Sequence, residues 1–382
     1  MKIIYLANSI LPSDSANSIH VMKMCAAFAR AGHDVTLIAR CHGAVLSAES
    51  LCSFYGVNTG FRIELLPVPL FRYGSSLFAL RKLKCLLKAY STRDALVVGR
   101  DIYGICLALS SGFSAIYETH APSGRNVVRH VLEGWLLRQS RLLKCVTISQ
   151  ALNERYCKAY RALAAKCEVH PDAADDDYLT LNPSNNVFSG HALQVGYVGK
   201  VLRGRGIDLI AEMARRLPDV SFHVVGGTRE EVVACAGAFP ENMHCHGYIA
   251  PSETGRYRAM CDVLLMPYQR KLEVTGRKVN TSRWMSPMKM FEYMAAGRAI
   301  VASDLPVLRE VLDESNSLLV PPDDVDAWVD AINMLRNVDL RTQFGEAARR
   351  KLICEYTWDE RVERILEGVT IVGDSTLSRA FL

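Results

Sequence analysis

The sequence predicts an α/β protein of two doubly wound parallel sheets, and three features of its 382 residues support this fold class. Short apolar runs alternate with amphipathic helical patterns through both halves of the chain. The runs are continuously apolar, which is typical of strands buried on both faces of a parallel sheet. The length suits two domains of roughly 180 residues each. Two such domains facing each other would hold ligands in a cleft at the carboxyl ends of their strands.

The first half carries six predicted strands, which are the runs KIIYLA, DVTLIA, RIELLPV, ALVVG, AIYETH and CVTIS. Between the first two, HVMKMCAAFARAGH predicts a helix followed by Gly32, since glycine is favoured just past a helix end. The alternation of strands and helices predicts a Rossmann-like domain over residues 1–180, on the acceptor side of the cleft.

The second half repeats this alternation. Its predicted strands are QVGYVG, VSFHVVGG, DVLLMPY, AIVASD and SLLVPP, with DLIAEMARRL and FEYMAAG as helices between them. A polar, aperiodic segment at 181–192, which contains Pro183, predicts the linker. We therefore expect a second Rossmann-like domain at 193–365 and a tail at 366–382 that packs back on the first domain.

Composition excludes several classes of protein. With 49% hydrophobic and 22% charged residues, the chain has the balance of a soluble globular protein. No apolar run approaches the roughly 20 residues of a membrane-spanning helix, and the N-terminus resembles a strand more than a signal peptide. We expect a cytoplasmic protein, located at most at the inner face of the membrane. The twelve cysteines show no ligand spacing, so neither a disulfide framework nor a metal site is predicted.

The net charge of +5 is uneven along the chain. Residues 1–180 hold 21 Lys/Arg against 14 Asp/Glu, or +7, whereas the remainder holds 24 against 26, or −2. Within the basic half, cations alternate with leucine at helical spacing in one stretch, at Arg81, Lys82, Lys84 and Lys88. Such a helix presents a solvated face, or it contacts an anionic membrane surface. No nucleic-acid partner is predicted.

The segment MSPMKMFEYMAAGRAIVASD predicts a capped helix, with Ser286 as N-cap, Pro287 at the first helical position and Gly297 after its end. One interpretation is a core helix without further function. The other is that the free amides of its first turn, around Met288 and Lys289, bind a phosphate or sugar hydroxyls. Glu292 favours the second interpretation, because a carboxylate there can accept hydrogen bonds from the two vicinal hydroxyls of a ribose.

The segment YVGKVLRGRGIDLI predicts a strand, a glycine turn and a helix. Lys200, Arg203 and Arg205 would lie after Gly199, where a diphosphate could contact the helix N-terminus. The segment matches neither a dinucleotide-binding GxGxxG nor a phosphate-binding Walker motif. A solvated basic turn is the alternative, but the position after the first strand of the domain favours phosphate binding.

His120 ends the predicted strand AIYETH, where an α/β sheet usually faces its ligand. A purely structural histidine is an equally open interpretation. His20, beside the first strand–helix turn, would cap a helix or line the cleft. The acidic runs Asp175–Asp177 and Asp323–Asp326 resemble metal sites, but we interpret them as a loop and as a helix N-terminus that favours acids.

Together these segments resemble the retaining glycosyltransferases of family four, which have the GT-B architecture of two facing Rossmann-like domains. The resemblance covers nearly the whole chain. In order along the sequence, it rests on ANSIHVMKMCAAFARAGHDVTLI, YETH, PDAADDDYL, VGYVGKVLRGRGIDL, SPMKMFEYMAAGRAIVASDLPVLREVL and YTWDERVERIL. The chain is most similar to bacterial enzymes that build surface polysaccharides.

The resemblance implies a role for each matching residue. The basic pair Lys200 and Arg205 would grip the donor diphosphate, and Glu292 would bind the ribose as the second glutamate of the family's E-x7-E motif. His120 would contact the transferred sugar. The loop Tyr248–Ile249, after the strand MHCHG, would hold the base.

Two departures from the family pattern bear on the donor. Trp284 occupies the position of the first glutamate, which normally grips the donor sugar, so the identity of that sugar stays open. The glycine pair of the first turn is also missing. Asn17 and Ser18 lie in its neighbourhood and would offer backbone amides to a phosphate by a less open approach.

The expected function is therefore metal-independent, retaining transfer of a sugar from a nucleotide diphosphate donor, a UDP-sugar by family prior, to a glycan or lipid-linked acceptor, without a cofactor. The expected catalytic residues are His120, Lys200 and Arg205. The expected donor-binding residues are Asn17, Ser18, Gly199, Tyr248, Ile249, Ser286, Pro287, Met288, Lys289 and Glu292. Two alternatives are a nucleotide-sugar 2-epimerase of the same fold and a catalytically silent nucleotide-sugar-binding protein.

Overall fold

The computed structural model describes residues 1–43, 46–68, 75–124, 126–176, 188, 193–272 and 280–371. Their contacts divide the chain into two compact units. The first unit comprises Met1–Ile148, Leu152–His170 and the chain from Trp358, and the second comprises Ser149–Ala151 and Pro171–Thr357.

The first unit is built on a sheet of seven parallel strands in the order β3-β2-β1-β4-β5-β6-β7. The strand order reverses between β1 and β4, which is the arrangement of a doubly wound sheet. The strands are β1 (Lys2–Ile10), β2 (Asp34–Cys41), β3 (Arg62–Pro67), β4 (Ala95–Gly99), β5 (Ser114–Thr119), β6 (Leu142–Thr147) and β7 (Cys167–Val169). The six predicted strands are confirmed. Only the three-residue edge strand β7 was not predicted, because so short a run has no readable pattern.

Helices follow the strands of the first unit. They are α1 (Ala16–Arg30), α2 (Ala48–Tyr55), α3 (Ser75–Leu87), α4 (Ile102–Ser110), α5 (Val127–Arg138) and α6 (Gln150–Ala159). The N-cap of α1 is Ser15, and Gly32 follows the helix with a φ of +82°, as the sequence predicted. Helix α3 packs against α4, and α4 packs against α5, so these three form one layer beside the sheet.

The second unit repeats the design with six parallel strands in the order β10-β9-β8-β11-β12-β13. The order reverses between β8 and β11. The strands are β8 (Leu193–Val198), β9 (Val220–Val225), β10 (Met243–Cys245), β11 (Val263–Met266), β12 (Ala299–Ser303) and β13 (Leu318–Val320). The predicted strands of the second half are confirmed, and so is the expectation of two doubly wound parallel sheets.

The helices of the second unit are α7 (Ile207–Arg216), α8 (Arg229–Ala236), α9 (Thr254–Met260), α10 (Met288–Ala295), α11 (Val325–Met334) and α12 (Val338–Glu355). As predicted, Gly297 follows α10 in a left-handed conformation, with a φ of +60°. No helix among the described residues is both long and apolar enough to span a membrane.

A last helix, α13 (Trp358–Leu366), belongs to the first unit and packs against α1. Its buried face carries Trp358, Val362 and Ile365. The compact units therefore differ from the predicted boundaries at 180 and 365. The segment from Pro171 joins the second unit, in which the Ala174 amide donates to the Tyr356 carbonyl. The predicted linker 181–192, apart from Phe188, and tail residues 372–382 lie outside the described residues.

Candidate functional site

The strands β8 and β11 separate towards their carboxyl ends. Over these fully described strands, pairing is confined to Val195 and Gly196 on the β8 side, although β8 continues to Val198. The Tyr293 hydroxyl of α10 accepts a hydrogen bond from the Val198 amide at 2.8 Å and lies 3.3 Å from its carbonyl oxygen. This separation lies at the point where the strand order reverses, which is where doubly wound sheets bind ligands.

Lys289 lies one turn before Tyr293 on the same face of α10. Its Nζ is 3.3 Å from the centroid of the Tyr197 ring and 5.5 Å from that of Tyr268. The side chain is partly exposed, but its Nζ is buried and has no hydrogen-bond partner among the described residues. Burial lowers the pKa of Lys289 well below its usual 10.5, and the charge of Arg205 lowers it further. A bound anion would relieve both effects.

Arg205 is placed beside this lysine by a glycine turn, Gly204–Gly206. Both glycines have positive φ, and a Cβ on either would lie 2.1 Å from a carbonyl oxygen, that of Lys271 or of Pro267. Only glycine lets the turn pack so closely on the chain that leaves β11. As a result, the Arg205 guanidinium lies 4.7 Å from the centroid of the Tyr268 ring.

Gly199, directly after β8, leaves the space that the lysine occupies. A Cβ on Gly199 would lie 2.5 Å from Cε and 2.7 Å from Nζ of Lys289. The structure therefore brings three of the predicted residues together: Gly199, Arg205 and Lys289. With Tyr197 and Tyr268 they form what we call the cationic cluster.

The other predicted basic residues of this turn lie differently. Lys200 is half-buried, and its carbonyl oxygen accepts a hydrogen bond from the Tyr197 hydroxyl at 2.7 Å. Arg203 is exposed. The three basic residues that the sequence placed in one turn therefore differ in burial, and Arg205 is the one that reaches the cationic cluster.

Glu292 shares the α10 face of Lys289 and raises the pKa of that lysine, against the effects of burial and of Arg205. Its Oε2 accepts a hydrogen bond from Arg258 Nη1 at 3.1 Å. The Glu292 side chain is 27% exposed, whereas that of Arg258 is 10% exposed. A half-exposed carboxylate held by a buried arginine keeps lone pairs for the hydroxyls of a ligand.

The predicted cap of α10 is wrong. Pro287 occupies the N-cap position, with an extended ψ of 120°, and no side chain caps the helix. Because the helix begins only at Met288, the Ser286 hydroxyl is one residue too far back. It accepts a hydrogen bond from the Asp172 amide at 3.0 Å instead.

The predicted base loop follows β10 at the carboxyl edge of the same sheet. The Gly226 amide after β9 donates to the Gly247 carbonyl at 2.8 Å and ties the loop to its neighbour strand. Tyr248 is 52% exposed, and Ile249 packs against the core of the unit. Trp284, at the position of the missing glutamate, is buried.

A second group of residues, which includes the predicted His120, lies in the first unit around Glu118 at the end of β5. This buried carboxylate contacts the His120 ring through Oε1, which also lies 2.9 Å from His20 Nε2. Its Oε2 lies 3.2 Å from Arg361 Nη1. Burial raises the pKa of Glu118, but Arg361 and the two histidines outweigh burial and hold it well below 4.5. We call these four residues the carboxylate–histidine cluster.

This cluster orients His120, whose side chain remains 17% exposed. The His20 ring packs edge-on against His120 at 5.0 Å and against Trp358 at 5.2 Å. His20 lies inside α1 and is buried, so it does not cap that helix. Neither Glu118 nor Arg361 was predicted from the sequence. Glu118 had a signal, since residues two apart on a strand point to the same face.

The first turn of α1 differs from its prediction. The Ser18 amide donates to the carbonyl oxygen of Ser15 at 3.0 Å and to its hydroxyl at 3.2 Å. That amide is therefore committed to capping and is not offered to a phosphate. Asn17 donates from Nδ2 to the Asn8 Oδ1 at 3.3 Å, and its role in donor binding stays a prediction.

Three residues of the acidic runs have structural roles. Asp324 is the N-cap of α11 and accepts from the Ala327 amide, and Asp326 lies in the first turn. Asp176 forms an ion pair with Arg349 at 2.7 Å. Asp177 lies outside the described residues.

Comparison with known proteins identifies the second unit. Residues 192–337 match the family model described as Glycosyl transferases group 1. This part of the second unit is therefore similar to the group 1 glycosyltransferases. The matched range contains the cationic cluster, Glu292 and the loop of Tyr248.

Relatives of the chain are also glycosyltransferases by name. A phosphatidyl-myo-inositol mannosyltransferase of Mycolicibacterium smegmatis is 28% identical over 189 residues, which cover 47% of this chain and 46% of the mannosyltransferase. The chain thus spans about half the length of that relative. A putative teichuronic acid biosynthesis glycosyltransferase, TuaH of Bacillus subtilis, is 25% identical over 66% of this chain and 69% of its own.

Solved structures extend the likeness to the whole chain. Anabaena Alr3699/HepE, solved in complex with UDP, superposes with a TM-score of 0.68 at 14% identity, covering 97% of this chain and 100% of HepE. At this identity the likeness concerns the fold. It confirms the GT-B fold class that the sequence predicted for the two units of the chain.

Proposed function

We propose that this protein is a retaining glycosyltransferase that moves a sugar from a UDP-sugar to a glycan or lipid-linked acceptor. The observation that carries the proposal is the buried Lys289 ammonium beside Arg205 at the strand reversal of a group 1 glycosyltransferase domain. HepE, of the same fold, was solved with UDP. The relatives are named as a phosphatidyl-myo-inositol mannosyltransferase and a putative teichuronic acid biosynthesis glycosyltransferase. These likenesses support the donor and acceptor classes.

The chemistry of the cationic cluster suits departure of a diphosphate. As the bond between the anomeric carbon and the diphosphate oxygen breaks, negative charge grows on the leaving group. Preorganised cations in a site shielded from water stabilise such charge more than they stabilise the ground state. We assign this role to Arg205 and Lys289, with Lys200 on the adjoining turn.

The proposed reaction is a front-face displacement. The acceptor oxygen forms the new bond to the anomeric carbon on the side from which the diphosphate leaves, and a diphosphate oxygen takes the acceptor proton. Retention of configuration follows without a protein nucleophile. His120, held by Glu118, would orient the transferred sugar, and Glu292 would bind the ribose. Because these cations stabilise the negative charge of the leaving diphosphate, the proposed reaction requires no metal. Turnover should therefore persist in the presence of EDTA.

The test uses two variants in the same glycine turn. Arg205→Ala should abolish the thermal stabilisation of the protein by UDP and reduce donor turnover by orders of magnitude, because the diphosphate loses a cation. Arg203→Ala, which removes an exposed cation, is the matched control and should retain both. Near-normal turnover in Arg205→Ala would contradict the assignment.

Incubation with UDP-, GDP- and ADP-sugars separates the alternatives. Release of the nucleoside diphosphate supports transfer. An epimerised donor would show a 2-epimerase instead, and stoichiometric binding without any product would show a silent binding protein. The configuration of the product, read from the anomeric coupling constant, tests retention.

A further inference from the structure

The layer of α3, α4 and α5 in the first unit presents apolar side chains to solvent. On α5, Val127 is 73% exposed, Val128 60%, Val131 61% and Trp135 36%. Val127, Val131 and Trp135 follow one another at intervals of four residues, so they lie on one stripe of the helix. On the neighbouring α4, Tyr103 is 41% exposed. A contiguous apolar stripe of this kind usually marks an interaction site.

Exposed cations lie in the same layer of helices as this stripe. The exposed cations of the layer lie on α3, at its end, and at the end of α5: Arg81, Lys82, Lys84, Lys88, Arg138 and Arg141. The three helices contain a single carboxylate, Glu133, which is fully buried and accepts a hydrogen bond from Arg129 at 2.8 Å. The outer face of α3, α4 and α5 therefore carries positive charge with no exposed acid within these helices.

The α3 helix itself is divided in the same way. Leu83 and Leu87 are buried, whereas the cations at 81, 82, 84 and 88 face solvent. The sequence alone left open whether this basic face is only solvated. The exposed valines and Trp135, two helices away in the same layer, add the apolar component that a merely solvated face lacks.

We propose that this face docks on an anionic lipid bilayer. The stripe of Val127, Val131 and Trp135 enters the interfacial region, where indole rings are favoured, and the cations of α3 contact lipid phosphates. The combination of an apolar stripe and a basic rim is complementary to such a surface in both polarity and charge.

A second copy of the chain fits this face less well. In a two-fold symmetric contact the same patch meets itself, so the cations of α3 and α5 would face cations with no exposed carboxylate of these helices to pair with. An anionic bilayer supplies the missing negative charge. The proposal goes beyond sugar transfer, and it holds whether or not the group 1 domain turns over a donor.

The protein carries its own probe for the test. Of its four tryptophans, Trp284, Trp328 and Trp358 are at most 8% exposed, so Trp135 dominates any solvent-sensitive change in emission. The full chain is titrated with phosphatidylcholine vesicles, and with vesicles in which one third of the lipid is phosphatidylglycerol. We expect a blue shift, and quenching by brominated acyl chains, with the anionic vesicles only, reversed by high salt.

Two variants separate the apolar and charged contributions. Val131→Glu, and the quadruple change of Arg81, Lys82, Lys84 and Lys88 to Gln, should each weaken vesicle binding at least tenfold. The matched controls are Val338→Glu, at a valine 60% exposed in the second unit, and Arg155→Gln with Lys158→Gln, exposed cations on α6. Both controls should bind like the unmodified protein.

Three results would overturn the proposal. These are unchanged Trp135 emission with anionic vesicles, equal binding to neutral and anionic vesicles, and a dimer in sedimentation that Val131→Glu disperses while vesicles are not bound. None of these measurements contains a sugar donor. Failure of vesicle binding and failure of the proposed transfer are therefore distinguishable.

Discussion

The Arg361 guanidinium lies 3.2 Å from the Glu118 carboxylate, and the two side chains are 3% and 2% exposed. Glu118 also contacts both His20 and His120. Helix α13 thus supplies the counter-charge for a carboxylate at the end of β5. Removing one partner of a buried ion pair leaves an uncompensated charge, whereas removing both is far less costly.

Arg361→Met should therefore destabilise the protein by about 3–5 kcal/mol, as expected for breaking a buried pair. The double variant Arg361→Met with Glu118→Gln should recover a large part of that loss, since no buried charge is left alone. Urea unfolding measures both effects. Arg364→Met, at an arginine 41% exposed on the same helix, is the control. Simple additivity of the two single changes would contradict this coupling.

Acid should act on the same carboxylate. Because the folded-state pKa of Glu118 lies well below 4.5, its stabilising contribution is complete above pH 4.5. It is lost as the pH falls through the folded-state pKa. This loss of stability therefore occurs at low pH, below the range in which histidines titrate in an unfolded chain.

The local sequence pattern was enough to predict the two sheets, because buried parallel strands are continuous apolar runs with helices between them. It also placed Arg205 in the turn after the first strand of the second unit and Lys289 in the first turn of a helix, as the structure has them. It could not show that Lys289 Nζ lies close to the rings of Tyr197 and Tyr268, because that contact depends on how α10 packs where β8 and β11 separate. Arg361 gave no signal either, because its partner lies 243 residues away. The prediction of Ser286 as the N-cap was wrong because Pro287 has an extended ψ, which the residue types alone do not specify.

Binding of UDP should be accompanied by proton uptake at Lys289. Burial and Arg205 hold the pKa of this lysine well below 10.5 in the unliganded protein. A diphosphate raises it again, because the charged ammonium gains an opposite charge. Above the depressed pKa, the lysine is neutral before binding and must take up a proton to pair with the ligand.

Calorimetry in two buffers of different ionisation enthalpy detects this uptake. We expect the apparent binding enthalpy of UDP to differ between HEPES and Tris at alkaline pH, and to become equal in Lys289→Met. That variant should also bind UDP at least tenfold more weakly without loss of stability, because it removes a buried Nζ that has no hydrogen-bond partner among the described residues. Buffer-independent enthalpies in the unmodified protein across the alkaline range would refute the uptake.

Glu292→Gln should weaken the binding of UDP by about tenfold, since hydrogen bonds to a charged acceptor contribute about 1.5–3 kcal/mol. Glutamine keeps an acceptor for Arg258, so the fold should be retained. A UDP analogue that lacks the 2′- and 3′-hydroxyls should bind both proteins equally, because it offers nothing to the carboxylate. Glu253→Gln, at an exposed acid of the same unit, serves as the control. A variant that discriminates against the analogue as strongly as the unmodified protein would exclude Glu292 as the ribose ligand.

The last prediction concerns His223, which is buried in the core of the second unit. Its Nε2 lies 2.7 Å from Gln194 Oε1 and its Nδ1 lies 2.9 Å from His246 Nε2. A neutral ring satisfies both contacts, donating to the amide oxygen and accepting from His246. Burial, together with the neighbouring His246 and His244, lowers the pKa of His223 to about 3.

Stability of the second unit should therefore fall as the pH is lowered from 6.5 towards 3. In this window the unfolded chain binds a proton at residue 223 and the native protein does not, so acid favours unfolding. His223→Gln should be less stable at pH 7.5, having lost a packed ring, but its melting temperature should decline less between pH 7.5 and pH 5, a window chosen from the ordinary histidine pKa of about 6.5. His42→Gln removes an exposed histidine of the first unit and should keep the decline of the unmodified protein. Melting curves at both pH values measure the difference, and equal declines in all three proteins would show that His223 does not govern the acid sensitivity.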